Sequence, residues 1–162
     1  ANLKEIKNYF LKKENFFYLT IILIIFSLDR ISKREIISNF NESVYFVNDY
    51  INFDLIWNIG IGFGFLSTDS SILYNSITLL IGIVILFLFY VLISSEKIDK
   101  IIYSIIIGGA LGNYYDRLVY KAVPDFIDLH YNNFHWFTFN VADIFISIGI
   151  IVLLIYGLLK KN

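Results

Sequence analysis

Between Ile72 and Ile93 the chain is uniformly apolar and carries no acid or base. About 20 residues of helix cross the hydrocarbon of a bilayer, so this run reads as a transmembrane helix that faces lipid and acts as scaffold. Such a chain cannot place charges in its other spans freely. An ionisable group at membrane depth costs on the order of 2.5–3.5 kcal/mol by insertion scales. The stretch from Gly108 to Asp143 nevertheless carries Asn113, Asp116, Arg117, Asp125, Asp128, Asn140 and Asp143, with long apolar runs at both ends. A chain that keeps so many polar groups together is using them.

Composition agrees with a membrane protein. Of 162 residues, 57% are hydrophobic and 17% charged, against about 25% charged in a soluble domain. The length predicts one domain, residues 1–162. A net charge of −1 offers no basic face to a nucleic acid. With no cysteine, a disulfide, a thiol nucleophile and a thiolate metal site are all excluded.

Four helical spans are predicted, at about 16–33, 72–93, 98–119 and 140–159. Lys4, Lys7, Lys12 and Lys13 before the first span look like the basic region of a signal peptide. The apolar run ends at Asp29-Arg30, however, not in a small-residue cleavage site, so a retained first helix is expected. The loop at about 36–70 is too long for a simple connection. Ile51, Phe53, Leu55 and Trp57 alternate there, which predicts a half-buried strand with one face formed by those four. Val44 to Val47 is the partner strand, with Asn48-Asp49 as turn residues. The fold class is therefore an all-α membrane protein with four transmembrane helices and a small extracytoplasmic β-sheet in the first outer loop. Gly60, Gly62 and Gly64 follow the strand; no P-loop lysine supports a phosphate site, and close backbone packing is the better reading.

Taken singly, the polar residues have ordinary explanations. Asn113, Asp116 and Arg117 lie at i, i+3 and i+4 on one helix face, and Arg117 beside Asp116 reads as a buried ion pair that keeps the acid ionised. Asp29 and Lys33, at i and i+4, read as an interface anchor. Asn140 is a good N-cap and Asp143, three residues on, complements the helix dipole. Asp125 and Asp128 are placed in a loop, with Pro124 fixing the backbone. His130 and His135 lack the spacing of a metal-binding helix pair, so no metal is expected.

Their series is more informative than any member. N-x-x-D-R at 113–117 is followed by Asp125 nine residues after Asp116, and F-N-x-A-D ends on Asp143 eighteen residues later. This resembles the lipoprotein signal peptidase family, signal peptidase II. Asp29 to Lys33 matches that family's D-x-x-[ST]-K box, Asn58 to Gly64 its Asn-Gly-Phe box, Gly108 to Arg117 its G-G-A-x-G-N-x-x-D-R box, and Phe139 to Asp143 its last box. Pro124 stands where the family usually has Val, and Gly62 where it often has Ala.

The resemblance implies an intramembrane aspartic endopeptidase of the bacterial inner membrane, with its active site near the outer leaflet. Its substrate would be a diacylglyceryl-modified prolipoprotein, cut just before the lipidated cysteine. Asp125 and Asp143 would be the catalytic dyad. Asp29, Lys33, Asn58, Gly60, Asn113, Asp116, Arg117, Asn140 and Ala142 would support the fold or bind substrate. No cofactor is implied, membrane lipid is the other partner, and a monomer is expected. Two neighbouring carboxyls share a proton and titrate as a pair; Asp143, near a helix N-terminus, is assigned the base and Asp125 the proton. The alternative reading is a small transporter or proton relay, which would also keep intramembrane acids but would set them nearer mid-membrane.

Orientation follows from the lysines. The N-terminal tail, Lys97 and Lys100 in the middle connection, and Lys160 and Lys161 at the end fall on one side, whereas 35–71 and 121–138 contain only Lys121. The positive-inside bias puts both termini in the cytoplasm. Single cysteines introduced at positions 97 and 160 should therefore resist an impermeant thiol reagent in intact cells and react after permeabilisation. Labelling from outside would overturn this topology.

Overall fold

The computed structural model describes residues 13–40, 43–60 and 71–160; Gly62 and Gly64 lie outside them. Among the described residues there are four long helices: α1 (Lys13–Asn39), α2 (Ser71–Ser94), α3 (Lys97–Val119) and α4 (Val141–Leu159). Three of these, α1, α2 and α4, are long and apolar enough to cross a membrane. The third predicted span, α3, is a helix of full length whose ends carry Lys97, Asp99, Lys100, Asp116 and Arg117. α1 also continues well past the predicted end at Lys33, so Asp29 and Lys33 are not at its terminus. They are completely buried, which corrects their reading as an interface anchor.

The exterior is apolar and the interior is where charge collects. Ile72, Leu86 and Phe87 on α2, and Leu154 and Leu158 on α4, are all more than 60% exposed. Asp29, Lys33, Asp116 and Asn140 have no exposure. That inversion suits a protein whose solvent is lipid and whose ionisable groups face the bundle interior. A small apolar core of Ile22, Ile107 and Leu92 joins α1, α3 and α2.

The G-G-A-x-G run on α3 is the sequence's device for bringing helices together. A Cβ on Gly108 would meet Ile25 of α1 at 2.8 Å, and one on Gly109 would lie 2.6 Å from the Ala142 carbonyl oxygen of α4. A Cβ on Gly112 would collide with the Asp29 carboxylate. Small residues of this kind let backbones approach closely where hydrophobic driving force is absent.

The sheet is larger than predicted. β1 (Tyr45–Asn48) and β2 (Ile51–Asn58) come from the first outer segment, and β3 (Val123–Tyr131) and β4 (Phe134–Phe139) from the second. They form one antiparallel sheet in the order β1-β2-β3-β4. Asp125 and Asp128 are thus strand residues, not loop residues. Pro124 is tolerated because β4 pairs with β3 only from Ile127 onward, so β2 alone flanks the proline. Asn132, with φ of 52°, makes the tight β3–β4 turn, a left-handed position that asparagine accepts.

β2 departs from simple alternation. Phe53 pairs with Ile127 but Ile56 with Asp125, so β2 has one extra residue between them. Beyond this bulge the faces exchange: Trp57 leaves the face of Ile51 and Phe53 and is 42% exposed, while Asn58 moves onto the side of Asp125. The one-face reading of Ile51, Phe53, Leu55 and Trp57 is corrected accordingly.

The glycine contacts can be tested directly. Gly109→Ala should lower the melting temperature in detergent, by about 1–3 kcal/mol of overpacking, because backbone on α4 cannot yield cheaply. Gly157→Ala, which meets nothing within 4 Å, should not lower it. Equal melting of the two variants would refute the close α3–α4 contact.

Candidate active site

Asp143 owes its position to local sequence. Asn140 caps α4 with extended backbone, its side-chain oxygen accepting from the Asp143 N–H at 3.1 Å, and Asp143 Oδ2 accepts from the Asn140 N–H at 3.1 Å. This reciprocal capping box ties up one carboxylate oxygen. The other, Oδ1, accepts from Asn113 Nδ2 on α3 at 2.7 Å.

Asp125 comes from the start of β3 and is 5% exposed. Its Oδ1 accepts from Asn140 Nδ2 at 2.6 Å and its Oδ2 from Asn58 Nδ2 at 3.0 Å. Asn140, with no exposure, therefore holds both carboxyls, one through its side chain and one through its backbone. Burial, and then the nearby charge of Asp143, push the Asp125 carboxyl up from the ordinary 3.8 to about 6; the two asparagine donors oppose that rise. Desolvation winning over hydrogen bonding extends the protonated form of this group up to about pH 6.

Behind the two acids lies a buried charge cluster. Lys33 Nζ sits 3.0 Å from Asp29 Oδ2 and 2.7 Å from Asp116 Oδ2, and donates to Asn113 Oδ1 at 2.7 Å. Arg30 reaches the same two acids, donating to Asp29 Oδ2 at 3.0 Å and Asp116 Oδ2 at 2.8 Å. Two cations thus face two anions. Asn113 stands between an ammonium and a carboxylate, which fixes its amide with oxygen toward Lys33 and nitrogen toward Asp143. Asp29 Oδ1 accepts from the Ala142 N–H at 3.0 Å, satisfying one of the free donors in the first turn of α4.

Asp116 is therefore not paired with Arg117. Adjacent residues on a helix point about 100° apart, and the two separate: Asp116 turns to α1 and Arg117 to the end of β2. Arg117 donates to the Gly60 carbonyl at 2.6 Å, and its own carbonyl accepts from the Tyr74 hydroxyl at 3.1 Å. Gly60 N–H in turn donates to Asn58 Oδ1 at 2.9 Å. Arg117, Gly60 and Asn58 thus form a brace whose far end is Asp125.

All the site candidates named from the sequence fall in this one connected network. Arg30 belongs to it as well and was not among them. The signal was its place directly after Asp29 inside the D-x-x-[ST]-K box. Asp128 lies apart: three residues beyond Asp125 on a regular strand, it falls on the opposite face of β3.

Comparison with known proteins gives a consistent identity. Residues 21–159 match the family described as signal peptidase (SPase) II. The chain is 45% identical over 161 residues to the lipoprotein signal peptidase of Pelagibacter ubique (strain HTCC1062), covering 98% of this chain and 93% of that protein. It is 40% identical to the lipoprotein signal peptidase of Polynucleobacter necessarius (strain STIR1), covering 90% of each. Two solved structures described as a bacterial membrane enzyme, at 2.3 and 1.9 Å, superpose with TM-scores of 0.75 and 0.74 at 26% identity over 90% of this chain and 89% and 94% of theirs. With three helices fit to cross a membrane, a buried pair of aspartates and a match over nearly its whole length, the chain belongs to the signal peptidase II family of bacterial membrane aspartyl proteases.

Proposed function

We propose that Asp125 and Asp143 form the catalytic dyad of an endopeptidase that removes the signal peptide from diacylglyceryl-modified prolipoproteins. The observation that carries this reading is the buried Asn140, which holds both carboxyls within one network while Asp125 is raised to about 6. Asp143 is the base and takes a proton from water as its oxygen attacks the scissile carbonyl carbon. Asp125 gives its proton to the carbonyl oxygen. On collapse, the C–N bond breaks, the proton held by Asp143 passes to the amine of the lipidated cysteine, and one hydroxyl of the gem-diol returns its proton to Asp125 as it becomes the new carbonyl oxygen. The other network members position these two groups. Four spans, cytoplasmic termini and a site at the outer ends of α1, α3 and α4 complete the proposal, with the chain acting as a monomer.

The cavity of about 440 Å³ beside the ion cluster, lined by Phe26, Arg30, Lys33, Arg34 and Tyr115 among others, supports headgroup binding by Arg30 and Arg34. Arg117 is engaged with Gly60 instead.

Asp125→Asn and Asp143→Asn should each abolish cleavage of a lipidated precursor by purified enzyme while leaving it folded. Asp125→Asn should also melt higher than the parent at pH 7.5. A carboxyl raised from 3.8 to about 6 keeps its proton in the folded state while the unfolded chain has lost its own. Each unit is worth about 1.4 kcal/mol, so ionisation at high pH removes about 3 kcal/mol of stability. That penalty is absent below pH 4 and complete above pH 6, and the advantage of the amide should shrink as pH falls through this window. An advantage independent of pH would contradict the assignment.

Asp116→Asn should act through stability. It strips Lys33 and Arg30 of a shared partner, and breaking a buried ion pair costs about 3–5 kcal/mol. Lowered melting with residual turnover in the folded fraction is the expected result. A stable but inactive Asp116→Asn beside an active Asp125→Asn would show the dyad to be wrongly chosen.

A further inference from the structure

The face of β3 turned away from Asp125 holds a second polar cluster that the peptidase chemistry does not use. Asp128 and His130 are two apart on β3 and so share a face. His135 joins them through a register shift. Leu129 pairs with Phe137 but His130 with His135, so β4 carries Trp136 as an extra residue. Without that bulge His135 would pair with Tyr131 and point to the other face. With it, the imidazoles lie directly across the hairpin, ring centroids 5.3 Å apart and planes 25° from parallel.

We propose that Asp128, His130 and His135 form a binding site for a divalent transition-metal ion of the zinc class. One donor atom from each residue lies within 4.8 Å of the other two. Asp128 Oδ2 is 2.7 Å from His135 Nδ1 and 3.6 Å from His130 Nδ1. In a tetrahedral zinc site, bonds near 2.0–2.1 Å set neighbouring donors roughly 3.3 Å apart, between these two separations. The first is a hydrogen bond, in which a proton occupies the place of the ion. The second is too long for one.

His130 supplies the independent evidence. It is 8% exposed, and its Nδ1 is buried with no hydrogen-bond partner. Buried nitrogens are normally satisfied, and leaving one unpaired costs about 1–3 kcal/mol. This one is aimed at the carboxylate that an ion would bridge. The donor set fixes the class: two imidazoles and a carboxylate suit zinc, nickel or copper, whereas calcium and magnesium take oxygen ligands. His135 is 58% exposed, so the ion can enter from solvent, with water completing the coordination. Bound there, it pins β4 to β3 near the hairpin tip. The site is separate from the dyad, so it stabilises the sheet and takes no part in hydrolysis.

The test uses the full chain without a histidine tag, purified in detergent, stripped with EDTA and desalted. Titration with zinc should give one equivalent bound per chain and a raised melting temperature, and cobalt in its place should give the visible absorption of a tetrahedral centre. His130→Ala and His135→Asn should each weaken zinc binding by about tenfold or more, while the rate of precursor cleavage stays the same. His135 is exposed, so its variant remains informative if His130→Ala folds poorly. Failure of the parent to bind, or zinc affinity unchanged in His135→Asn, would overturn the site. Loss of cleavage in the dyad variants bears on the peptidase assignment alone.

Discussion

The buried ammonium of Lys33 is the group on which the rest of the arrangement depends. An unpaired cation with no exposure would be costly in either protein or lipid. It is sustained because three partners on two helices converge on it: Asp29 from its own helix, and Asp116 and Asn113 from α3. Each partner has a second duty. Asp29 closes an open donor at the start of α4, Asp116 takes the Arg30 guanidinium, and Asn113 hands the polarity of Lys33 on to Asp143. One lysine therefore sets the mutual positions of α1, α3 and α4.

The surroundings of Asp125 and Asp143, the proposed dyad, differ in kind. Asp143 belongs to a helix start, where a cap, a backbone N–H and the Asn113 amide all favour a fixed orientation. Asp125 belongs to a strand end and receives only two asparagine amides, so burial prevails and its carboxyl is raised to about 6. The β2 bulge contributes by turning Asn58 onto the Asp125 side.

Local rules made part of this legible in the sequence. The Asn140–Asp143 capping box is a spacing of three residues, and it forms as its spacing predicts. The α2 span follows from composition alone. Order along the chain also singled out Asp125 and Asp143, through their resemblance to a family series. What escaped were the long-range choices. Asp116 has a cation beside it in sequence, yet its partners lie 83 and 86 residues away, because helix geometry points neighbours apart. β3 was hidden by a proline and two acids, all common in loops, and its pairing depends on β2 in another segment. Both bulges invert a face through a single inserted residue, which no pattern of alternation announces. The His130–His135 juxtaposition depends on one of them.

The Asp29–Ala142 hydrogen bond has a consequence for how the protein comes into being. It joins the first of the four described helices to the last, across 113 residues. During synthesis α1 reaches the membrane with Asp29, Arg30 and Lys33 before α3 has supplied their partners. On the proposed assignment of Asp125 and Asp143, the catalytic centre cannot take shape until α4 emerges and its first turn meets a carboxylate made much earlier. With Asp143 as one of the proposed pair, an incomplete chain is thereby a harmless one: the second carboxyl arrives only with the last helix, and a product truncated before α4 carries half of the pair.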